Sequence, residues 1–545
     1  MIKIKRAFIQ NATIEKVFNY ALYKYSNKIL LSHPTIKNKE YAKCYSYYDV
    51  NKSVQKYIKF FNSIGVHKED RVAVAIGNIP EYFIIKLSLN FIGASIVPIN
   101  CDLNYKEIIY ILTDSNSVLV LHSKKYSKLI LKALKALKKK IGRIKFNNNN
   151  ELELVNSLKK KAKKSKKKIN PQFESSLLYT SGTTGKPKGC ILTHDYEINA
   201  GFHYSTRRGL INIKRSKERL YNCLPVHHVN SSVLSFFAML LTGNCQIQGE
   251  RFSVKNFWKE VSLSNATIFH YLGVMAPLLL KQRDNIYSKN NALRIGIGAG
   301  IEPKLHRLFE NRFKVPMIEL WGMTEMVRCI FDNSKNRIVG KRCFGKPDNN
   351  IKIKILNNSN NKNYPISGEM LVKTSLTLRK KIFFKGYLNN SKATKKVWEN
   401  GWFHTGDLVT KDKNGKLYFI DRKKHIIRRA GENISSAEVE AALLNIDYVQ
   451  NCAVTAISNE IYEEEVFAFV VLNNKQKTLN QAKKILRILN KDLSYFKLPA
   501  FIKYIDSVPT TSTQKTEKSK LLKLIKDSNS SDILDLLDYK RSLKG

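Results

Sequence analysis

The segment Leu177–Gly189 reads LLYTSGTTGKPKG and gathers hydroxyls, glycines and a lysine in a short loop after an apolar run. Glycines let the backbone take positive φ and approach a ligand closely. Successive N–H groups in that geometry form a concavity that binds anions, and hydroxyl and ammonium donors suit phosphate oxygens. The segment therefore predicts a phosphate site after a strand, although a flexible Ser/Thr/Gly surface turn has a similar composition.

The complete string resembles the phosphate loop of the adenylate-forming superfamily, which includes acyl-CoA synthetases, luciferases and peptide-synthetase adenylation domains. The Walker spacing GxxxxGK[ST] does not occur here. The resemblance implies that the loop holds the β- and γ-phosphates of ATP. The residues that it assigns to this role are Thr180, Ser181, Gly182, Thr183, Thr184, Gly185 and Lys186.

Two later strings resemble the superfamily's adenine and metal motifs. LRIGIGAGIEP, residues 293–303, resembles the adenine-side loop, and ELWGMTE, residues 319–325, resembles aromatic-Gly-x-Thr-Glu. The resemblance implies that Trp321 lies against adenine and that Thr324 donates to the α-phosphate. Glu325 is a carboxylate suited to Mg²⁺ beside ATP phosphates, although a glutamate at a helix start also complements the helix dipole. The nucleotide-binding residues expected from the two strings are Gly298, Ala299, Gly300, Trp321, Gly322 and Met323.

The string GWFHTGDL resembles the motif whose aspartate accepts the ribose hydroxyls, which implies that role for Asp407. In FIDRKKHIIRRAGENIS, Arg422 matches the family arginine that contacts the nucleotide, and Lys424 matches the hinge between the two domains. Gly431 begins the loop that faces the pantetheine tunnel of coenzyme A in CoA-forming members. A second nucleotide-binding group and a CoA surface are therefore expected in this region.

The catalytic residues implied by the resemblance lie in two further strings. VPTTSTQKTEKSKLL resembles Pro-Arg/Lys-Thr-x-x-Gly-Lys-x-x-Arg and places the catalytic lysine at Lys515. Gln514 replaces the family glycine, and positive φ is costly for a residue with a Cβ, so this departure bears on the rate of adenylation. YNCLPVHHVN places His228 where the family lines and gates the acyl pocket. The expected catalytic residues are Lys515, Thr324, Glu325 and His228.

Strand-like and helix-like stretches alternate in the first half of the chain, which predicts a parallel α/β sheet. Examples are RVAVAIGN from Arg71, the helical stretch after Pro80, and SIVPIN after it. We expect the multi-subdomain adenylate-forming fold, with an AMP-binding domain over residues 1–423 made of α/β subdomains and a small β subdomain. A mobile α+β domain, residues 424–545, then carries the catalytic lysine. The lysine-rich stretch 146–170 is interpreted as a linker.

The composition limits the class of protein. The chain has 545 residues, of which 43% are hydrophobic, so it is long enough for two or more folded domains. Its formal net charge of +50 would suit nucleic acid or an anionic membrane. The lysines are spread along the whole chain, which favours a compositional bias and predicts no specific nucleic-acid partner. Peripheral membrane contact and the oligomeric state stay open.

The cysteines and apolar runs bear on location. The 8 cysteines are scattered and form no CxxC pair, which favours a reducing compartment without structural zinc. No run approaches the roughly 18 apolar residues of a membrane span, and the N-terminal stretch lacks a signal-peptide core. A cytoplasmic location is expected.

The motifs together predict an ATP-dependent, AMP-forming carboxylate–CoA ligase with ATP, Mg²⁺ and coenzyme A as cosubstrates or cofactors. The overall run looks most like crotonobetaine/carnitine-CoA ligases and nearby medium-chain acyl-CoA synthetases, so carnitine-type and fatty acids are the expected substrate classes. A quaternary ammonium would need an aromatic cage. Candidate cage residues are Phe236, Phe237, Tyr271 and Trp321.

Three alternatives remain open at this stage. One is an enzyme that adenylates an amino acid or another carboxylate without CoA transfer, although no aspartate near His228 and no carrier domain supports it. Another is a degenerate, non-catalytic homologue, supported by Gln514. The last is a nucleic-acid-binding protein, which rests on charge alone.

Overall fold

A computed structural model of the chain describes residues 11–34, 43–147, 149–156, 167–180, 187–356, 365–429, 432–459, 462–473, 476–510, 516–529 and 532–543. Two compact units are formed. The first comprises the chain up to Lys352 together with Lys373–Gly401, and the second comprises Ile353–Val372 together with the chain from Trp402 onward.

The strands, numbered in chain order, are β1 (Ile29–His33), β2 (Lys43–Ser46), β3 (Arg71–Ala75), β4 (Ser95–Pro98), β5 (Leu119–Ser123), β6 (Gly142–Phe146), β7 (Leu152–Asn156), β8 (Glu174–Thr180), β9 (Lys188–Thr193), β10 (Arg219–Asn222), β11 (Cys245–Gln248), β12 (Ile268–Leu272), β13 (Ile295–Ala299), β14 (Met317–Met323), β15 (Met326–Phe331), β16 (Cys343–Gly345), β17 (Lys352–Leu356), β18 (Ile366–Lys373), β19 (Gly386–Tyr387), β20 (Trp398–Glu399), β21 (Trp402–Lys411), β22 (Leu417–Arg422), β23 (Ile426–Arg429), β24 (Glu432–Ser435), β25 (Val449–Asn459), β26 (Glu463–Leu472), β27 (Phe501–Tyr504) and β28 (Leu534–Asp535).

The α-helices are α1 (Ile14–Tyr25), α2 (Tyr47–Ser63), α3 (Glu81–Phe91), α4 (Tyr105–Asp114), α5 (Ser127–Ala136), α6 (His194–Ser205), α7 (Phe236–Thr242), α8 (Phe257–Leu263), α9 (Met275–Leu280), α10 (Ile286–Lys289), α11 (Pro303–Phe313), α12 (Leu376–Ile382), α13 (Ser391–Lys396), α14 (Ser436–Leu444), α15 (Leu479–Leu489), α16 (Lys518–Lys526) and α17 (Leu537–Ser542). A π-helical turn, Asn230–Ser235, leads directly into α7.

Two eight-stranded sheets organise the first unit. One has the order β15-β14-β13-β12-β10-β11-β1-β2, and its six inner strands run parallel. The other has the order β19-β9-β8-β4-β3-β5-β6-β7, with a parallel centre. Carboxyl ends of parallel strands meet at one edge of a sheet, which is where open α/β sheets bind ligands. The predicted parallel α/β architecture is confirmed.

Helix α3 is buried in the core of the first unit and carries a buried ion pair. Every residue of α3 is buried, including Lys86. The Lys86 ammonium lies 2.8 Å from Glu197 Oε1 on α6, and both side chains are fully buried. Because removal of one partner would leave a buried charge, breaking this pair would cost about 3–5 kcal/mol.

The interpretation of residues 146–170 as a linker is wrong for part of the stretch. Strand β7 lies within it and pairs antiparallel with β6. The apolar residues of β7 were outweighed in the sequence by the asparagines and lysines around them. Residues 157–166 lie outside the described residues.

The second unit contains a small antiparallel sheet and an α+β module. The small sheet has the order β22-β21-β18-β17. In the module, β26 pairs with β25 and β27 and alternates its two faces. Val466, Ala468 and Val470 pack with α14 and α15, whereas Phe467 and Phe469 pack with Leu521 of α16. The predicted domain boundary at 424 falls between β22 and β23 of this unit and stays a prediction.

None of the helices in the described ranges is both long and apolar enough to span a bilayer.

Candidate active site

Strands β8 and β9 flank the predicted phosphate loop. They pair antiparallel, and the ladder ends with Thr180 opposite Lys188. Thr180 Oγ1 also donates to the Lys188 carbonyl at 3.4 Å. The residues on either side of the loop are therefore held side by side. The loop residues assigned to phosphate binding after Thr180, namely Ser181, Gly182, Thr183, Thr184, Gly185 and Lys186, lie outside the described residues.

Thr324 and Glu325 lie in the tight turn between β14 and β15, not at the start of a helix. The Tyr387 hydroxyl donates to Glu325 Oε1 at 2.7 Å, and the Tyr196 hydroxyl donates to the Thr324 carbonyl at 2.8 Å. Each of the two turn residues thus accepts a hydrogen bond from a tyrosine, of which Tyr196 is buried and Tyr387 is half-buried. Because Glu325 does not lie at the start of a helix, a helix dipole does not explain its presence here.

Tyr387 also connects Glu325 to the strands that flank the phosphate loop. It lies opposite Cys190 in the antiparallel pairing of β19 with β9. The Lys188 ammonium is 5.1 Å from the centre of the Tyr387 ring. Burial, with the nearby charge of Glu325, raises the pKa of the Cys190 thiol well above its ordinary value. Within the first unit, Glu325 therefore lies beside the strand pair that bears the predicted phosphate loop.

The donor set at Glu325 fits a magnesium ion that is brought with a nucleotide. Mg²⁺ takes oxygen ligands and usually needs one or two protein carboxylates beside ATP phosphates and water. Tyr387 fixes one carboxylate oxygen of Glu325, which orients the side chain. Across the described ranges, no group of three or more His, Cys, Asp or Glu side chains is placed to hold a metal without such help.

The adenine-side loop follows β13 and depends on glycine at two positions. A Cβ on Gly298 would lie 2.1 Å from the Tyr271 carbonyl oxygen, so no larger residue fits there. Gly300 has φ +79°, which residues with a Cβ rarely adopt. Ala299 lies between them and pairs with Leu272 of β12. The loop is therefore shaped by its backbone.

Glu319 anchors this loop from the neighbouring strand β14. The Gly300 amide donates to Glu319 Oε2 at 3.0 Å, and the Ile301 amide donates to Oε1 at 2.9 Å. Burial raises the pKa of Glu319 to about 7, although both amide donors oppose the rise. A single buried carboxylate thus fixes two consecutive N–H groups of the loop.

Trp321, Gly322 and Met323 form the end of β14. The Trp321 side chain is largely buried, and its ring centre lies 6.3 Å from that of Phe344. A Cβ on Gly322 would lie 2.8 Å from Cys329 Sγ, so that a larger residue there would require the Cys329 side chain to move. Because β13 and β14 are parallel neighbours, the structure brings all of the predicted adenine-side residues to one sheet edge.

His228 lies in the connection between β10 and the π-helical turn. Its amide donates to the Pro225 carbonyl at 3.1 Å, and its own carbonyl accepts the Ser232 hydroxyl at 3.0 Å. Its ring is partly exposed and lies 4.4 Å from the His227 ring. The connection leaves the carboxyl end of β10, the sheet edge that also bears the adenine-side residues.

The expected aromatic cage is not formed by three of its four candidates. Phe236, Phe237 and Tyr271 are fully buried. Phe236 stacks on Phe83 at 4.6 Å, and the Tyr271 hydroxyl donates to the Ile318 carbonyl at 3.2 Å. These rings pack in the core and present no face to a ligand. The sequence could not reveal this, because core and cage aromatics look alike in it.

The second unit pairs Asp407 with Arg422. The two residues lie opposite each other in β21 and β22, and Arg422 Nε is 2.6 Å from Asp407 Oδ1. Asp407 is buried, whereas Arg422 is partly exposed. The structure thus brings the predicted ribose and nucleotide residues together. Gly431 and Lys515, the predicted CoA-side glycine and catalytic lysine, lie outside the described residues, as does Gln514.

Asp421 connects the segment before the predicted hinge residue Lys424 with the segment that follows it. Its Oδ2 accepts hydrogen bonds from the Ser435 and Ser436 hydroxyls, at 3.0 and 3.1 Å, and from the Ala437 amide at 3.1 Å. Although burial opposes it, hydrogen bonds from His425 and the Ala437 amide hold the pKa of Asp421 well below its ordinary value. Helix α14 is thereby tied to the end of β22.

Sequence reasoning missed the residues that support the predicted ligands. Glu319 and Asp421 lie in the strings ELWGMTE and FIDRKKHIIRRAGENIS, but the sequence predicts no role for either of them or for Tyr387. Their partners lie 62, 19 and 14 residues away in the chain, so only the fold reveals them. A carboxylate within an otherwise apolar strand, as at Glu319, was the one local signal.

Comparison with known proteins identifies families and relatives to which the chain is similar. The sequence profile of the AMP-binding enzyme family matches residues 21–388, and that of the AMP-binding enzyme C-terminal domain matches residues 438–515. The crotonobetaine/carnitine–CoA ligase of Proteus mirabilis (strain HI4320) is 27% identical over 478 residues, which cover 85% of this chain and 90% of that protein. The protein of the same name from Shigella dysenteriae serotype 1 is 28% identical over 480 residues, with the same coverage.

Solved structures show the same fold at low identity. The anthranilate CoA ligase AuaEII in complex with anthranoyl-AMP has a TM-score of 0.80 at 20% identity and covers 95% of this chain and 98% of its own. ATP-bound MatB from Rhodopseudomonas palustris has a TM-score of 0.77 at 20% identity, with 94% and 99% covered. The predicted adenylate-forming fold is confirmed. Because the first profile spans well over half of the sequence, the chain belongs to the AMP-binding enzyme family, and the curated relatives named above are CoA ligases.

Proposed function

We propose that this chain is an ATP-dependent carboxylate–CoA ligase that acts on a small or medium-chain acid. The observation that carries the proposal is the position of Glu325. This carboxylate lies in a hairpin turn, is oriented by Tyr387, and stands beside the strands that flank the TSGTTGK loop. A carboxylate next to a phosphate loop is the arrangement that adenylation of an acid by MgATP requires.

In the first half-reaction the substrate carboxylate attacks the α-phosphorus of ATP, which gives an acyl-adenylate and releases pyrophosphate. The loop from Thr180 to Lys186 would hold the β- and γ-phosphates, and Thr324 would donate to the α-phosphate. Glu325 would hold Mg²⁺, which neutralises charge on the phosphates when bound. The backbone of Gly298–Gly300, fixed by Glu319, would receive the adenine beside Trp321.

Residues of the second unit would complete this step. Asp407 would accept the ribose hydroxyls and Arg422 would contact the nucleotide, and each now has the other as its partner. Lys515 would offset the negative charge that develops between the carboxylate and the α-phosphate. ATP binding would then exchange the Asp407–Arg422 ion pair for contacts with the nucleotide.

In the second half-reaction the CoA thiol attacks the acyl-adenylate carbonyl and releases AMP. We assign the boundary between an AMP-binding domain, residues 1–423, and a mobile domain, residues 424–545, to a hinge at Lys424. Rotation there would withdraw Lys515 and bring the Gly431 loop to the thiol. Asp421 ties α14 to the end of β22 through hydrogen bonds from Ser435 and Ala437. Rotation at the hinge would therefore either break these hydrogen bonds or leave them intact by moving other residues.

The substrate is a carboxylic acid whose chain lies toward His228. The curated relatives are named as crotonobetaine/carnitine–CoA ligases, which supports a short acid, with carnitine-type and fatty acids as the first candidates. A reducing, cytoplasmic location agrees with the use of ATP and CoA and with eight cysteines that form no disulfide among the described residues.

The test is release of pyrophosphate by the full-length chain with a panel of carboxylic acids, with and without CoA. Pyrophosphate with at least one acid, and a thioester only when CoA is present, is the expected result. Lys515→Ala should abolish pyrophosphate release yet form thioester from acyl-adenylate that is supplied ready-made. Absence of pyrophosphate with short, medium, aromatic and betaine acids alike would refute the proposed activity.

A further inference from the structure

A buried polar network lies at the carboxyl ends of β10 and β12, on the edge of the sheet that also carries the adenine-side loop. Leu272, the last residue of β12, pairs with Ala299 of β13. Strand β10 is the next neighbour of β12, so its end lies two strand spacings, or about 10 Å, from β13. An acid joined to a nucleotide bound at β13 and β14 extends over this distance toward the network.

The orientation of Asn222 is fixed by the backbone. The Leu224 amide, which can only donate, gives a hydrogen bond of 3.0 Å to Asn222 Oδ1. Asn222 Nδ2 is therefore the donor end, and it donates to Asn230 Oδ1 and to Ser235 Oγ, each at 3.0 Å. The amide flip of Asn222 is thus decided by the network itself.

His270 fixes the same end of Asn230. His270 Nδ1 is 2.7 Å from Asn230 Oδ1, and His270 Nε2 is 3.0 Å from the Tyr204 hydroxyl. Burial lowers the pKa of His270 to about 3, so the ring is neutral and carries one proton. An amide oxygen can only accept, so that proton lies on Nδ1, facing Asn230 Oδ1, and Nε2 accepts from Tyr204. Nδ1 is also 3.4 Å from Asn222 Nδ2, a longer contact than the one to the oxygen. Two donors, Asn222 Nδ2 and His270 Nδ1, converge on Asn230 Oδ1.

The other end of Asn230 is consequently a fixed donor. Asn222 and His270 are fully buried, whereas Asn230 is only partly buried. Within the described part of the chain, Asn230 Nδ2 has no hydrogen-bond partner. Asn230 is the first residue of the π-helical turn, two residues after His228, toward which the proposed function directs the chain of the acid. The buried network thus presents one amide N–H₂ outward.

We propose that Asn230 selects acids that carry a hydrogen-bond acceptor, such as a hydroxyl, a carbonyl or a second carboxylate, at the end remote from the reacting carboxylate. The inference rests on the proposed ligase function. An alkyl end would leave the Asn230 donor without a partner, which costs about 1–3 kcal/mol, or about 5- to 150-fold in selectivity. A quaternary ammonium group offers no acceptor and meets the positive end of the amide dipole.

The test uses the full-length chain and the pyrophosphate assay with matched acids. Hexanoate is compared with its ω-hydroxy, keto and dicarboxylic analogues and with a trimethylammonium acid of similar length. The wild-type chain should show kcat/KM at least about fivefold higher for one or more acceptor acids than for hexanoate. Equal or better use of hexanoate or of the trimethylammonium acid would overturn the inference and leave the ligase function standing.

Variants separate selection from folding. Asn230→Leu should lose the preference for acceptor acids while the KM for ATP stays unchanged, and Asn230→Asp should lose it and gain use of the trimethylammonium acid. Ser232→Ala, which removes the bond to the His228 carbonyl without touching the network, is the matched control and should keep the preference. An unchanged preference in both Asn230 variants would also overturn the inference. No pyrophosphate with any acid would instead refute the ligase function on which it rests.

Discussion

Two neighbouring parts of one sheet edge are built on different principles. At β13 and β14 the backbone shapes the site: a Cβ on Gly298 would clash with the Tyr271 carbonyl, Gly300 has positive φ, and Glu319 accepts from loop amides. At β10 and β12 side chains form it, through Asn222, His270 and their partners. The proposed nucleotide side is thus limited by space, and the proposed acyl side by hydrogen-bond direction. The first kind of site tolerates few residues, whereas the second can be retuned by one substitution.

The largest effect should come from Gly298→Ala. Its Cβ would lie 2.1 Å from a backbone oxygen of the neighbouring strand, so two parallel strands would have to separate. If the strain falls on the folded state as a whole, we expect the free energy of unfolding to fall by at least about 3 kcal/mol or the variant to fail to fold. If it falls on the geometry of the site, the same energy corresponds to roughly a 100-fold fall in ATP–pyrophosphate exchange. The measurements are exchange activity and thermal unfolding.

Gly300→Ala is the matched control for this variant. Nothing lies within 4 Å of the new Cβ, so the only cost is the positive φ, about 1 kcal/mol. Equal effects of the two alanines would show that the close approach at Gly298 does not limit the nucleotide side.

The same contrast explains what could be foreseen from the sequence. Alternating strand-like and helix-like stretches are visible in the sequence, so the parallel α/β architecture was predictable, and the glycine spacing indicated a tight loop at Gly298–Gly300. The TSGTTGK loop beyond Thr180 lies outside the described residues and stays a prediction. The roles of Tyr387 and Glu319 were not predictable, because each depends on a partner that only the folded sheet brings near. The sequence shows no aspartate near His228, and the donor direction of Asn230 follows only from Leu224, Asn222 and His270. Phe236 was misjudged because burial is not visible in a lone aromatic.

The pH dependence of stability tests the buried carboxylate that supports the β13–β14 side. The pKa of Glu319 is about 7 in the folded chain, against an ordinary 4.5, so the unfolded chain releases this proton first as the pH rises. Between pH 4.5 and 7 the free energy of unfolding should therefore fall, by at most about 1.4 kcal/mol per pH unit from this group. Glu319→Gln should lack this slope in denaturant titrations at pH 5 and pH 7.

Glu310→Gln provides a control of opposite sign. Although burial opposes it, hydrogen bonds from His306 and the Met317 amide lower the pKa of Glu310. Its contribution to stability is therefore lost as the pH falls, and the variant should be less affected by acid than the wild type. Identical slopes in the wild type and in Glu319→Gln would contradict the shift at Glu319.

On the acyl side, His270→Phe should act on the acid and spare the nucleotide. It leaves the Tyr204 hydroxyl and one lone pair of Asn230 without their partner, which costs about 1–3 kcal/mol of stability. The KM for the acid should rise while the KM for ATP stays within about twofold. His122→Phe, at another fully buried histidine on a parallel strand, is the control and should change neither KM. A rise in the KM for ATP with His270→Phe would show that the two sides are not independent.

The smallest effect should come from Tyr387→Phe, which tests whether the nucleotide side also depends on hydrogen-bond direction. The variant removes the 2.7 Å bond to Glu325 Oε1 and keeps the ring beneath Lys188. The loss of about 1 kcal/mol should weaken Mn²⁺ binding in the presence of ATP about fivefold, measured by paramagnetic relaxation of water. Tyr221→Phe removes a comparable bond to Glu260 on the core side of the sheet and should leave Mn²⁺ binding unchanged. If Tyr387→Phe binds Mn²⁺ as the wild type does, the backbone alone positions the carboxylate of Glu325, and the contrast between the two sides becomes sharper still.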